Sequence, residues 1–470
     1  MKSPEDPHLC RYRQGENQPR HADLPFRKTL PSDLAAARAT PDLCYGCTSM
    51  KRKVVCGFLV VCVILNLVIG FEILTSSAAT DDHGIDYAAI AGFTRAIQVI
   101  RQDYVDRNAV SYKKLTYAAL HAMLPHLDPH SQFLEPEDLK DREDETRGEF
   151  GGFGFTISRK DQSVTVLSTM ENSPSARAGI LPGDQIVAVA GKSTSNLPIE
   201  DLNQLLRGQP NQRLSLTIYR PSTKETKDYE MRREMIKVPS VVDAKILDPK
   251  TGGLKIGYLR ITEFTEPTAR ELSEKLDALQ KDGMQALVMD LRFNPGGLLT
   301  SAVDVCGLFL PPRTMVAYTE GRDAAQRREY LTDSGDKKRA DFPMAVLANG
   351  LSASGAEIVI GALKDLKRAV IVGETTFGKG VVQTPMPLPD GSALWLTTAK
   401  YYTPGKQVIQ EKGIAPDIES TIDTDRERAL LLRQRGGLWT PEEQKLVQET
   451  PDTQLDRSVD ALRGLLIYNR

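Results

Sequence analysis

The strongest constraint on this chain is an alternation of strand-like and helix-like segments that begins at Leu254. Lys255–Phe264 reads as a strand and Thr268–Lys281 as a helix; Ala286–Leu291 and Leu298–Phe309 repeat the pair. Ala345–Leu347, Ser354–Leu366 and Ala369–Val372 then read as strand, helix and strand. A parallel return has to cross the sheet, and a helix is the usual crossover. The segment is therefore expected to fold as an α/β layer with mostly parallel strands.

Different patterns flank it. Tyr87 to Leu127 reads as helical: Phe93, Ile97, Ile100 and Tyr104 recur at spacings of three and four, and Leu115, Ala118, Ala119, Ala122 and Met123 form a second run. Pro125 and Asp128-Pro129-His130-Ser131 end it, and the charged stretch Glu135–Glu149 reads as a linker or an exposed helix. From 150 to 233, short strands (Gly154–Ile157, Val164–Leu167, Gln185–Val189, Leu214–Tyr219) alternate with turns such as Pro182-Gly183-Asp184, and one helix runs from Ile199 to Arg207. Thr440 to Leu466 reads as two short helices. A length of 470 residues calls for more than one domain. The expected class is α+β multidomain, with an extension at 1–50, an anchor at 51–75, a helical region at 85–145, a β-rich module at 146–234, an α/β core at 235–425 and a helical tail at 426–470.

Val54 to Leu74 is apolar apart from Asn66 and Glu72, and Lys51-Arg52-Lys53 precedes it. About 20 apolar residues cross a bilayer as a helix, and the basic flank keeps the N-terminus in the cytoplasm. Ser77-Ala78-Ala79 offers a rival reading as a signal-peptide cleavage site. The run to Phe71 exceeds the roughly 7–15 residues of a signal h-region, so an uncleaved anchor is preferred. Either way the body is exported. The expectation is a single-pass protein of the cytoplasmic (inner) membrane with its body on the periplasmic or extracytoplasmic side. Met50 would be a normal start for such a protein, so residues 1–49 read as disordered or as sequence upstream of the true start.

Lys plus Arg number 60 against 62 Asp plus Glu, which sets nucleic-acid binding aside. Five of the six cysteines precede residue 63, leaving Cys306 alone in the body. Cys44-Tyr45-Gly46-Cys47 has the spacing of a metal knuckle, but no second pair of ligands matches it, so no metal is expected.

Three loops carry candidate chemistry. Asp290-Leu-Arg-Phe-Asn-Pro-Gly-Gly297 follows a strand and can aim backbone N–H groups at a ligand, although on its own a plain turn explains it better. Asn349-Gly-Leu-Ser-Ala-Ser-Gly-Ala-Glu357 joins a strand to a helix, and Ser354 and Glu357 have capping-box spacing. A serine there is either a helix cap or a nucleophile beside free N–H groups. Gly373-Glu-Thr-Thr-Phe-Gly-Lys-Gly-Val-Val-Gln383 places Lys379 between glycines near Phe377, Val381 and Val382. Lys379 is either a solvated lysine or, if buried, a base with a lowered pKa. If the segment is extended, Gln383 shares its face and can orient the amine. No histidine follows residue 130, so a histidine base would have to come from another domain. The pair Ser354 and Lys379 fits the Ser–Lys variant of nucleophilic catalysis.

Asp290–Gly297, Ser352–Glu357 and Gly373–Gln383 resemble the three active-site motifs of the carboxyl-terminal processing peptidases. Asp128-Pro-His-Ser131, Tyr401-Tyr-Thr-Pro404 and Gly413-Ile-Ala-Pro-Asp-Ile418 are also similar to family segments, in the family's order, over roughly residues 90 to 466. The resemblance implies Ser354, not Ser352, as nucleophile, Lys379 as base and Gln383 as its support. It implies an oxyanion hole from the N–H groups of Gly355 and of Gly296 or Gly297, with Gly296 preferred. Two positions depart from the family: Gly355 stands where many members have alanine, and Gly405-Lys406-Gln407 where many read Ser-Gly-Arg. The β-rich module resembles a PDZ domain, with Phe153-Gly154-Phe155 as its carboxylate-binding loop and the helix from Ile199 as the opposite wall.

The expected function is that of an exported, membrane-anchored serine endopeptidase without cofactor. It would recognise unfolded or tail-exposed proteins by their C-termini. The resemblance leaves open a homo-oligomer and an adaptor protein, and whether the PDZ module delivers substrate or activates the site. The alternative is a catalytically inactive exported PDZ scaffold. A trypsin-like protease is disfavoured by the missing histidine and by the module order.

Overall fold

The computed structural model describes residues 87–160, 163–247, 253–323, 325, 327–333 and 341–468. The apolar run at 54–74, the extension before it and Cys44–Cys47 lie outside the described residues. Among the described residues no helix is long and apolar enough to cross a membrane. The chain divides into units at Met1–Thr94 and Arg95–Arg470. Of the first unit, the described residues are the opening turns of helix α1 (Tyr87–Asp103), which buries none of its side chains.

The second unit opens with α2 (Tyr112–Met123), whose N-terminal Lys114 N–H is accepted by the Ser111 hydroxyl at 3.2 Å. A short 3-10 turn at Leu124–His126 and the turn at Asp128–Ser131 lead into β1 (Gln132–Leu134). The charged stretch that read as linker or helix is α3 (Pro136–Thr146), started by Pro136 where a missing N–H costs nothing.

The β-rich module follows as β2 (Glu149–Gly152), β3 (Phe155–Lys160), β4 (Ser163–Thr169), α4 (Pro174–Arg177), β5 (Gln185–Val189), β6 (Lys192–Ser193), α5 (Ile199–Leu206), β7 (Arg213–Arg220), β8 (Glu225–Arg232) and β9 (Glu234–Lys237). Its antiparallel sheet runs β3-β4-β5-β7-β8, with β6 against β5, and β2 pairs with β9. Alternation fills the core: Leu216 and Ile218 on β7 and Val164 and Val166 on β4 point inward. Strand β3 lies at the sheet edge, where its backbone can accept another strand.

The α/β core contains β10 (Val241–Ile246), β11 (Ile256–Ile261), α6 (Thr268–Lys281), β12 (Ala286–Asp290), α7 (Leu299–Gly307), β13 (Met315–Gly321), β14 (Arg328–Leu331), β15 (Met344–Ala348), α8 (Gly355–Asp365), β16 (Val370–Gly373), β17 (Val381–Pro387), β18 (Ala393–Tyr402) and β19 (Ile418–Glu419). The main sheet has the order β10-β11-β12-β15-β16-β19, parallel from β11 onward and antiparallel at β10. Beside it stands a second, antiparallel sheet that the strand reading did not anticipate: β1-β18-β13-β14, with β17 also on β18. Three helices complete the chain: α9 (Thr424–Arg435), α10 (Pro441–Glu449) and α11 (Thr453–Tyr468).

Both faces of the parallel sheet are covered, so its central strands are largely apolar, with Arg260 on β11 and Asp290 on β12 as charged exceptions. On β12, Leu287 and Met289 face a core that includes Leu272 and Leu276 of α6. Ala286 and Val288 face the other way, onto Leu462 of α11. The helical tail is thus the second layer of the core. Beneath it Arg292, only 2% exposed, pairs with Asp290 at 2.7 Å and Asp452 at 2.8 Å. Tyr258 donates to Asp290, and Gln454 accepts from Arg292.

Candidate active site

Strands β12, β15 and β16 are neighbours in the parallel sheet, and the three candidate loops leave their carboxyl ends. That rim is where α/β sheets bind ligands. Loops far apart in the chain therefore meet because of strand order.

Ser354 stands immediately before α8 with φ 53° and ψ −116°. A side-chain-bearing residue holds such angles only when its surroundings impose them. Gly296 is part of that surrounding: a Cβ there would sit 2.6 Å from Ser354 Cβ and 2.8 Å from the Gly355 nitrogen. Ser352 is fully buried, donates to the Leu291 carbonyl at 2.8 Å and accepts from the Asn349 N–H at 3.0 Å. Its hydroxyl holds the loops together, whereas Ser354 is partly exposed.

Glu357, one turn into α8, is the meeting point of the serine and lysine loops. Its fully buried carboxylate accepts from the Ser354 N–H at 2.9 Å and the Lys379 N–H at 2.8 Å. The Gly378 N–H and Thr376 hydroxyl donate to its other oxygen at 2.7 and 2.6 Å. Burial pushes this carboxyl's pKa up, and the four donors work against that shift.

Lys379 is half-buried beside Val381, which is buried, while Phe377 is 56% exposed and gives little cover. Desolvation is the main cause that lowers its amine pKa; the positive charge of Arg142 adds to it and Asp128 opposes it. No hydrogen bond joins Lys379 Nζ to Ser354 Oγ among the described residues. Instead the buried Tyr401 hydroxyl donates to Ser354 Oγ at 3.0 Å. Tyr401 also ties the second sheet to the lysine loop, its N–H donating to the Gly380 carbonyl at 2.9 Å. Gln383 Nε2 donates to Thr397 Oγ1 at 3.3 Å across the β17–β18 pair. His130 lies close enough to feel the Lys379 charge, which adds to burial in lowering its pKa.

Among the glycines preferred for an oxyanion hole, Gly296 differs from expectation. Its N–H is used internally, donating to Asn294 Oδ1 at 2.8 Å. The N–H groups of Gly297 and Gly355 have no acceptor among the described residues, and an ideal Cβ on Gly355 would lie 3.6 Å from the Gly297 nitrogen. Asn294 makes the selection: its amide also donates to the Ile261 carbonyl, and its own carbonyl holds the Ala353 N–H.

In the β-rich module Phe153 is buried and stacks on Phe155 with centroids 6.1 Å apart. Gly154 between them takes φ 73°, and its carbonyl accepts from the Ser173 and Ser175 hydroxyls at 3.2 and 3.0 Å. The Ser173-Pro-Ser175 stretch pins the loop ahead of the edge strand β3.

Residues 255–420 match the model of peptidase family S41, and residues 165–220 match that of the PDZ domain. A carboxy-terminal-processing protease of Bartonella bacilliformis is 38% identical over 376 residues, covering 78% of this chain and 82% of that one. The chain belongs to the carboxy-terminal-processing protease family of S41 peptidases. A probable CtpA-like serine protease of Staphylococcus aureus is 37% identical over 349 residues, 73% of this chain and 67% of its own. Among solved structures, a photosystem II D1 C-terminal processing protease is 30% identical, covers 70% of this chain and 92% of its own, and superposes with a TM-score of 0.41.

The protein is thus a serine-type peptidase with a PDZ domain. Within this S41 peptidase, sequence reasoning missed Tyr401 and the linking role of Glu357. In the sequence Tyr401 stands out only as part of a family segment, and Glu357 only as a cap partner. An acid at the third helical position in an otherwise apolar run, with a glycine-flanked lysine further on, is the sequence signal for the second.

Proposed function

We propose that this S41 peptidase is an exported, membrane-anchored endopeptidase that takes protein C-termini through its PDZ domain and cleaves with Ser354 and Lys379. The observation that carries the reading is the shared Glu357 carboxylate, which holds the backbones of Ser354 and Lys379 at once. In the proposed reaction the neutral Lys379 amine takes the Ser354 proton as Oγ bonds to the scissile carbonyl carbon. The N–H groups of Gly297 and Gly355 stabilise the oxyanion. The lysine ammonium then returns its proton to the leaving amine, and a water deprotonated by the same amine hydrolyses the ester. Tyr401 donates to Ser354 Oγ, which leaves the serine proton free for the lysine. Gln383 orients the amine. Edge strand β3 with the Phe153-Gly154-Phe155 loop would receive the substrate tail by strand addition.

The open Ser354–Lys379 pair is an arrangement that catalysis has to close, and a substrate tail on the PDZ domain is a natural trigger. The same open pair is what an inactive scaffold would display. Purified protein given an unfolded substrate with an apolar C-terminus separates the two. Ser354→Ala and Lys379→Ala are expected to abolish cleavage while circular dichroism stays unchanged. Full activity in Lys379→Ala would end the Ser–Lys reading, and an inactive wild type with bound tail would favour the scaffold.

A further inference from the structure

The turn at Asp128–Ser131 lies outside the peptidase match at 255–420, yet it packs against the strand opposite Gln383. Asp128 Oδ1 accepts from the His130 and Ser131 N–H groups, each at 2.8 Å, and from Thr397 Oγ1 at 3.2 Å. Its other oxygen accepts from the Ser131 hydroxyl at 2.7 Å. That hydroxyl oxygen in turn accepts the Thr397 N–H at 3.1 Å. Thr397 and Gln383 are direct cross-strand partners, joined by the Nε2 to Oγ1 bond of 3.3 Å.

The chemistry of these groups gives the chain a direction. An ionised carboxylate only accepts, so the Thr397 hydroxyl must spend its one proton on Asp128. Thr397 can then only accept from Gln383, which turns the amide NH2 toward the threonine. The Gln383 carbonyl oxygen is left without a partner among the described residues, free to accept from an amine. We infer that Asp128 is a positioning residue of the active site: through Thr397 it sets the orientation of the Gln383 amide, so that its oxygen rather than its nitrogen is offered to Lys379. Asp128 is suited to this because its carboxyl stays ionised. Burial raises its pKa, but the hydrogen bonds from Ser131, His130 and Thr397 outweigh burial and hold it below the ordinary value. An amide nitrogen turned toward Lys379 would set a donor against a donor and disfavour the aligned base.

The inference rests on the Ser354–Lys379–Gln383 reading, and the experiment separates the two. Full-length protein carrying Thr397→Val, Thr397→Ser, Asp128→Asn or Gln383→Ala is assayed for kcat and KM on the same unfolded substrate. Thr397→Val keeps the strand shape and removes only the relay hydroxyl, so it guards against a folding defect in Asp128→Asn. Thr397→Val and Asp128→Asn are expected to lower kcat about tenfold or more with KM little changed. Thr397→Ser restores the hydroxyl and is expected to restore kcat. In the Gln383→Ala background, Thr397→Val is expected to add no further loss. Wild-type kcat in Thr397→Val, or an equal additional loss in the Gln383→Ala background, overturns the inference. If Lys379→Ala retains activity, the underlying peptidase reading falls; if Lys379→Ala is inactive while Thr397→Val is unimpaired, only the relay falls.

Discussion

Ser354 and Lys379 are ordinary residue types made unusual by what surrounds them. Ser354 is held at φ 53° by close packing against Gly296, and the Lys379 amine is half-buried with the Arg142 charge nearby. The lysine consequence is measurable. A base must be neutral, so kcat/KM should rise with pH through the Lys379 pKa, which desolvation and Arg142 place below the ordinary 10.5. Asp128 acts in the opposite sense, and His130 also lies near the amine. Replacing Arg142 by Gln removes a cation that disfavours the charged amine. The acid limb of the pH–rate profile should then move to higher pH, and a shift to lower pH would contradict this account. The serine, the lysine and the glutamine stand out in the sequence as candidates because their glycine-bearing loops resemble family motifs. Tyr401 was not legible as a serine partner, because 47 residues separate it from Ser354 and nothing local marks the contact.

At the scale of elements, the site depends on how close two loops come. The loop after β12 touches the start of α8 through Gly296, where any Cβ would press on Ser354 Cβ and on backbone at 2.8 Å. Backbone cannot yield as a flexible side chain does. Gly296→Ala is therefore expected to cut kcat/KM at least tenfold with a smaller loss of thermal stability, because the displaced atoms are those of the proposed nucleophile and oxyanion donors. An assay together with a melting curve checks both halves. The strand–helix alternation made β11 to β16 readable, since both faces are buried and the apolar runs are short. The antiparallel sheet escaped for an equally physical reason. Pro385 and Pro387 lie within β17, and proline demotes a strand reading. Strand β17 tolerates them because among the described residues it pairs with β18 alone, leaving its outer edge free of ladder hydrogen bonds there.

Within the second unit, segments on both sides of the α/β core work on its centre. The N-terminal region supplies β1 to the second sheet and Asp128 to the Gln383 relay. The C-terminal α11 closes the second face of the parallel sheet, and Asp452 ahead of it is bonded twice to Arg292 at 2.8 Å. Arg292 belongs to the same loop as Gly297. Burial alone would push the Asp452 carboxyl up; its bonds to Arg292 hold it down instead, so its contribution is present above pH 3.8 and fades as acid protonates it. Asp452→Ala removes two bonds from the 2%-exposed Arg292 while Asp290 still neutralises its charge, which should lower stability by about 1–3 kcal/mol in urea denaturation at neutral pH. An unchanged midpoint would show that the Asp452–Arg292 contact is dispensable. The sequence by itself determined the layer type and the family and singled out the candidate residues for the proposed chemistry, since these rest on local periodicity and on motifs a few residues long. Only the tertiary structure decided which glycine N–H is free, which side chain meets the serine hydroxyl and what orients the glutamine. Those choices are made by hydrogen bonds between residues tens to hundreds of positions apart, and such bonds exist only once the strands have taken their order.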